Sequence, residues 1–234
     1  MLNKIPELKK IFENKNSVFN VLSKSEKVLL QANSNLRQYR KGDIIFREGE
    51  EPKGLFILIH GKVKIYKKGV GKREQILKLL NSSGLFGYRA FLAGEKYVAT
   101  ARAMEESSVA IIEKGIINQI CDHNHRFSMK LIKILASDSG SSYNRIVSLT
   151  QKHIRGRIAE SLLYLIDLYG FESDNKTLNS ILSRSDLAGL SNMTTSNAIR
   201  TLSAFANEGV VTIEKKKIRI IDLQKLIHIS SLGW

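Results

Sequence analysis

Between residues 36 and 112 the chain is built of short apolar stretches at close spacing, punctuated by Asn, Ser and glycines at 42, 49, 61, 69, 71, 84, 87 and 94. Closely spaced short runs separated by turn residues predict an antiparallel β-barrel or sandwich. Residues 55–59 are an unbroken apolar run, and the chain then alternates, with Val63 and Ile65 on one face and Lys62 and Lys64 on the other. A strand pair turning at Gly61 fits this pattern. Residues 67–73 carry Lys67, Lys68, Lys72 and Arg73 around Gly69 and Gly71, which reads as an exposed hairpin tip.

The period changes over residues 126–151. Met129, Ile132, Leu135, Ala136, Ser139, Ser142, Tyr143, Ile146, Leu149 and Thr150 recur at steps of three and four, the mark of one long helix. The stripe is half apolar and half small, which is poor core filler but lets two copies of the helix approach closely, so these ten residues are expected to form a dimer interface. Gly140 within it costs about 1 kcal/mol relative to alanine. A second helix is expected over about residues 155–169, with Ile158, Leu162, Leu163, Leu165 and Ile166 inward and Gly170 as its stop.

The last third holds the functional pattern. Ser183 followed by Asp186 is a helix start, Leu187, Ala188 and Leu190 continue it, and Ser191-Asn192 ends it. Thr194 then caps a second helix over about residues 195–207, and Leu187, Leu190, Ala198, Leu202 and Phe205 supply the shared apolar contact. Residues 210–214 and 218–221 read as two strands joined by Lys215, Lys216 and Lys217, a wing. Such a winged helix-turn-helix sets the start of its second helix in a DNA major groove and the lysines beside phosphates. The resulting domain plan is a sensor unit over 1–125, a dimerisation helix over 126–151 and a DNA-binding unit over 152–234.

Composition narrows the function classes. With 234 residues and 43% apolar side chains the chain can fill two cores, which excludes collagen-like and disordered readings. Cys121 is the single cysteine, the opening residues carry no signal-peptide pattern, and no apolar run is long enough to cross a bilayer. A reducing, cytoplasmic location without membrane association is therefore expected. The 37 basic residues against 22 acidic ones give a net charge of +15, which favours a polyanionic partner. The excess is +12 over residues 1–150 and only +3 over 151–234, so charge alone does not mark the footprint and solubility explains it equally well. No Ser-His-Asp, paired-carboxylate or Gly-Lys-Ser/Thr phosphate-loop pattern is present, and His60 is the one histidine of the barrel segment, too few for a cupin-type metal enzyme. No catalytic residue, no metal site and no enzymatic activity are expected.

Several motifs recur together in a known order: Gly42-Asp43 with Ile44, Ile45 and Phe46, then Glu48-Gly49, Leu55-Phe56-Ile57, Gly61, and Gly84-Leu85-Phe86-Gly87; next Gly156-Arg157-Ile158-Ala159 before Leu162-Leu163; and last the helix-turn-helix and wing from Ser183 to Ile221. In these motifs the chain resembles the Crp/Fnr family of bacterial transcription regulators over nearly its whole length. The resemblance implies an α+β fold: an N-terminal antiparallel β-barrel of cupin-like jelly-roll form, a long dimerisation helix and a C-terminal winged helix-turn-helix. It implies a homodimer on a palindromic site, with double-stranded DNA, RNA polymerase and an unidentified small-molecule effector as partners.

Carried over by motif, the base-reading residues are Thr195, Ser196 and Arg200, with Arg200 suited to both acceptors of guanine. Ser196 departs from the glutamate usual in the family. Phosphate contacts are expected from Arg155, Arg184, Thr194, Asn197, Lys215, Lys216 and Lys217. The effector pocket falls on Gly87, Tyr88, Arg89, Lys96, Tyr97 and Tyr143. Cyclic-AMP-binding members place a glutamate for the ribose and an arginine for the phosphate where this chain has Tyr88 and Tyr97, so cyclic AMP binding is not expected. A four-thiolate iron-sulfur cluster is excluded by the single cysteine. No cofactor is expected, although Cys121, His123, His125 and His60 keep a haem- or nitric-oxide-responsive member of the family open. The competing reading for Asp122-His123-Asn124-His125 is a polar loop before the long helix. From another class, a sensor or scaffold whose winged helix binds protein rather than DNA also stays open.

Overall fold

Strand punctuation and helix caps place the elements in a computed structural model that describes residues 6–180 and 182–232. The chain opens with α1 (Pro6–Glu13) and α2 (Lys24–Ala32). The start of α2 is set by a capping box, in which the Ser23 hydroxyl accepts from the Glu26 N–H and the Glu26 carboxylate accepts from the Ser23 N–H. Eight strands follow: β1 (Ser34–Tyr39), β2 (Ile44–Phe46), β3 (Gly54–His60), β4 (Val63–Lys68), β5 (Glu74–Leu80), β6 (Leu85–Phe86), β7 (Thr100–Ala103) and β8 (Ser107–Glu113), with α3 (Tyr88–Ala93) between β6 and β7. Next come α4 (Lys114–His123), α5 (His125–Gln151), α6 (Ile154–Tyr169), α7 (Arg184–Leu190), α8 (Thr195–Asn207), β9 (Val211–Glu214), β10 (Lys217–Ile220) and α9 (Leu223–Leu232).

Two compact units result: the chain up to Lys67 with Lys78–Gly140, and Lys68–Leu77 with everything from Ser141 onward. The eight strands form two four-stranded sheets in the orders β1-β8-β3-β6 and β2-β7-β4-β5, a jelly-roll arrangement. This is the expected cupin-like jelly roll, its two sheets facing each other without closing into a continuous barrel. Strand β6 has two residues and β2 has three, with a register shift between Ile44 and Phe46. Bulky rings fill the space between the sheets. Phe46 stacks on Tyr97 with centroids 3.8 Å apart, and Phe56 on Phe86 at 5.1 Å.

A second core cluster joins α1 and α2 to the outer face of the first sheet. Leu8, Phe12, Phe19 and Leu30 pack there with Leu55, Ile57, Ile112, Ile117, Phe127 and Leu131. The N-terminal helices were not foreseen within the sensor segment, because α1 and α2 are short and mostly polar outside Leu8, Ile11, Phe12 and Leu30. The polar loop expected over residues 122–125 is also corrected: Asp122 and His123 finish α4, His125 begins α5, and Asn124 alone breaks the helix. The Asn124 side chain makes this joint by accepting from the Phe127 N–H and donating to Glu26.

In the second unit α6 packs against α9 and α8, α7 crosses α8, and α8 lies on β9. Leu187, Leu190, Ala198, Leu202 and Phe205 are each at most 1% exposed and form the seam between α7 and α8. Asn192 takes the left-handed conformation in the turn, with φ of 49°. Strands β9 and β10 pair antiparallel around Lys215 and Lys216, with Lys217 already in register opposite Glu214.

Candidate functional site

Two regions carry the chemistry. In the first unit the cassette after Phe86 begins with Gly87 at φ 79°, where a Cβ would lie 2.6 Å from the Phe56 ring, so only glycine fits. Tyr88, the first residue of α3, is 4% exposed and belongs to the α1–α2 cluster. Its hydroxyl donates to Asp138 of α5 in a short hydrogen bond. Lys78 binds the same carboxylate at 2.7 and 2.9 Å and stands 3.4 Å from the Tyr88 oxygen. Burial first, then the bond to Asp138, raises the Tyr88 phenol far above its usual range. Tyr97 lies in the other cluster against Phe46 and accepts from the Lys53 N–H at 3.2 Å; burial pushes its phenol up to about 12.

The remaining pocket residues turn elsewhere. Arg89 pairs with Glu95 at 2.7 Å and Lys96 with Glu51 at 3.7 Å, all four being solvent-facing. Tyr143 is an exposed residue of α5 in the second unit. Of the six residues expected to line a pocket, the aromatic side chains of Tyr88 and Tyr97 are thus buried and bonded within the protein. Lys78 and Asp138 were not singled out from the sequence, since they lie 60 residues apart and no local spacing signals them.

In the second unit, Thr194 caps α8 by accepting from the Asn197 N–H at 3.2 Å. The first turns of α8 then present Thr195, Ser196 and Arg200 to solvent, with Ala198 buried beneath. Arg200 is tied back along the helix by a bond from its Nη2 to Asn197 Oδ1 at 3.2 Å, which steadies the guanidinium over the first turn. The helix N-terminus adds unpaired N–H groups and positive dipole end, a setting that favours phosphate.

The other expected phosphate ligands are more occupied than their sequence positions suggested. Arg155 holds Glu208 through a two-armed bond at 2.8 and 2.7 Å and lies over the Phe205 ring, an arrangement that raises Arg155 and lowers Glu208 from their ordinary values. Arg184 donates to the Lys215 carbonyl at 3.3 Å and so braces the wing turn. Lys217 pairs with Glu172 at 2.7 Å, while Lys215 and Lys216 project from the tip.

On α5, Met129, Ile132, Ala136, Ser139, Ser142, Tyr143, Ile146 and Thr150 are exposed, and Val147 joins them. Leu149 is half-buried, and Leu135 leans on the core of the first unit. Near the long helix, Cys121 is half-buried on α4, and His123 and His125 are exposed. His60 is exposed at the end of β3. Among the described residues, no group of three or more His, Cys, Asp or Glu is arranged to hold a metal ion, and no helix is long and apolar enough to cross a membrane.

Comparison with known proteins agrees with this division. Residues 36–124 match the cyclic nucleotide-binding domain family, and residues 156–229 match the Crp-like helix-turn-helix domain family. The chain is 24% identical over 189 residues to the CRP-like cAMP-activated global transcriptional regulator of Mycobacterium tuberculosis, covering 80% of this chain and 84% of that one. It is 23% identical to the anaerobic regulatory protein of Bacillus subtilis, covering 80% and 79%. Among solved structures, a Crp/Fnr-family transcriptional regulator from Eubacterium rectale superposes with a TM-score of 0.75 at 20% identity, over 92% of this chain and 97% of that one. FixK2 from Bradyrhizobium japonicum gives a TM-score of 0.76 at 20% identity, over 84% and 96%.

The chain belongs to the Crp/Fnr family. It is a DNA-binding transcription regulator, and the relatives it matches are regulators rather than enzymes. Within this Crp/Fnr chain, two further arginines hold the helix-turn-helix in place. Arg145 of α5, drawn below its usual value by burial, donates to the carbonyls of Leu190 at 2.8 Å and Ile76 at 3.0 Å. Arg157 of α6 donates to Asn192 in the turn at 2.8 Å. Gly189, in the last turn of α7, is explained by the same neighbourhood: a Cβ there would fall 2.5 Å from the Glu74 carbonyl oxygen. The sequence offered a signal only for Arg157, through the Gly156-Arg157 motif.

Proposed function

We propose that the protein acts as a homodimer which reads a palindromic duplex with paired α8 helices, under the control of a small-molecule effector other than cyclic AMP. The observation that carries this reading is the capped start of α8, where Thr195, Ser196 and Arg200 stand exposed side by side over a buried seam. One such helix reads only a few base pairs, so useful specificity requires two, with half-sites about 34 Å apart along the duplex. The exposed apolar and small stripe on α5 supplies a face for that pairing. Phosphate contacts come from Thr194, Asn197, Lys215 and Lys216, with Arg155, Arg184 and Lys217 acting chiefly on the protein itself through Glu208, the Lys215 carbonyl and Glu172.

The cyclic AMP activation named for the mycobacterial relative does not extend to this chain in our reading. Tyr88 and Tyr97 offer neither a ribose acceptor nor a two-armed phosphate donor, and both rings are buried. Nothing in this reading calls for a bound cofactor. RNA polymerase is the further partner, in the cytoplasm.

Selection of the full-length protein on random duplexes tests the reading. Enrichment of a palindrome, bound with a steep negative slope of log affinity against log salt, supports it. A flat slope, or no enriched sequence, overturns it in favour of a scaffold that binds protein. Calorimetric titration with cyclic AMP is expected to give no binding heat; a saturating heat overturns the effector clause alone.

A further inference from the structure

The buried side of α8 is Ala198, Thr201, Leu202 and Phe205, and its outward side is Thr195, Ser196, Ile199, Arg200 and Ser203. Four of those five outward side chains end in a hydroxyl or a guanidinium. Ile199 ends in methyl groups, and 47% of it lies in water. It stands one turn after Thr195 and Ser196 and immediately beside Arg200, in the middle of the surface that would enter a groove. A single exposed isoleucine on a protein surface needs no explanation, but this one sits among the groups that read bases.

The major-groove edge of a base pair is made of hydrogen-bond donors and acceptors, with one apolar group, the 5-methyl of thymine. A donor or acceptor pressed against Ile199 would lose its water and gain no bond in return. A thymine methyl would instead share apolar contact with the side chain, and both surfaces would leave water. The tie between Arg200 Nη2 and Asn197 Oδ1 holds the neighbouring guanidinium on the N-terminal side, so the two side chains address different bases.

We propose that Ile199 is a specificity-determining residue that reads the 5-methyl group of a thymine next to the base taken by Arg200. This rests on the reading of α8 as the DNA-reading helix, and it names one letter of the half-site.

The test uses the full chain and the duplex enriched by selection. The base read by Arg200 is located first, as the position where Arg200→Ala no longer discriminates. The adjacent thymine in one half-site is then replaced by uracil, which removes only the methyl group. The expected loss is about fourfold in affinity for the unaltered protein. Ile199→Ala is expected to bind both duplexes equally, and Ile199→Val to keep most of the difference; thermal melting of each variant checks that the fold is intact. Absence of thymine at that step, or an equal loss with Ile199→Ala, overturns the assignment while leaving the regulator reading in place. Failure to enrich any duplex overturns the regulator reading, and the assignment falls with it.

Discussion

The cassette after Phe86 and the first turns of α8 are the two places where ligand contacts are expected, yet they treat their side chains in opposite ways. In the cassette, Tyr88 and Tyr97 are each 4% exposed, and their polar atoms are spent inside the protein, on Asp138 and on the Lys53 N–H. On α8, Thr195, Ser196, Ile199 and Arg200 face solvent, and the polar atoms of the cap and the first turn stay within reach of a partner. Substitution in the cassette should therefore act on stability, and substitution on α8 should act on binding. In the proposed reading, two aromatic rings turn positions expected to face a ligand into core.

The sharpest challenge to that contrast is Tyr97→Ala. Loss of a ring stacked 3.8 Å from Phe46 should cost about 3 to 5 kcal/mol in urea unfolding, by the cavity rule for large aromatic side chains. A loss under about 0.5 kcal/mol would show that the cassette is not part of the core. On the opposite side, Arg200→Ala should weaken sequence-specific binding by about 1 to 3 kcal/mol, read by competition against random duplex, with the unfolding midpoint unchanged. Equal loss on both duplexes would reassign Arg200 to a phosphate.

Tyr88→Phe separates packing from polar partnership within the cassette. The ring is kept while the bond to Asp138 is lost, and because Asp138 is partly exposed and retains Lys78, a stability loss of about 1 kcal/mol is expected. The smallest effect concerns Arg155 and Glu208. The bond from Arg155 holds Glu208 below its ordinary value of 4.5, so its stabilising contribution is complete above that value and is lost as pH falls through the lowered one. Thermal melting between neutral and acid pH should show this component in the unaltered protein and its disappearance in Glu208→Gln; an identical pH profile in the two proteins would show that the pair contributes nothing to stability.

Local signals in the chain were enough for much of the fold. The cap at Ser183 with Asp186, the left-handed Asn192 and the cap at Thr194 all rest on contacts within three or four residues, and the structure places them where the spacing predicts. Gly61 does turn the chain, but the strands on either side of it enter different sheets. The strand at Val63 and Ile65 and the helical period of α5 were likewise readable, although Lys64 and Tyr66 are buried on the other face of that strand. Three things were not. Helices α1 and α2 were not foreseen, because their few apolar residues matter only once β3, β8 and α5 stand beneath them. Which strands stand at the edges of the two sheets was a second, since the pattern of runs does not say which strands pair. The engagement of Arg155, Arg184 and Lys217 was invisible because each partner is distant in sequence.

By itself, then, the sequence determined the strand-rich segment, the helices α5 and α6 and the point where α8 begins, since period and capping are short-range properties of the chain. It also supplied Tyr88 and Tyr97 where the resemblance leads one to expect an acid and an arginine, since that is a matter of residue identity. Tertiary structure alone decided what the replacements do. The Tyr88 hydroxyl finds Asp138 fifty residues later, Arg155 finds Glu208 fifty-three residues later, and Arg145 joins the carbonyls of Ile76 and Leu190 from the helix between them. Such pairings depend on distances that exist only after the sheets and helices have packed, and no periodicity along the chain encodes them.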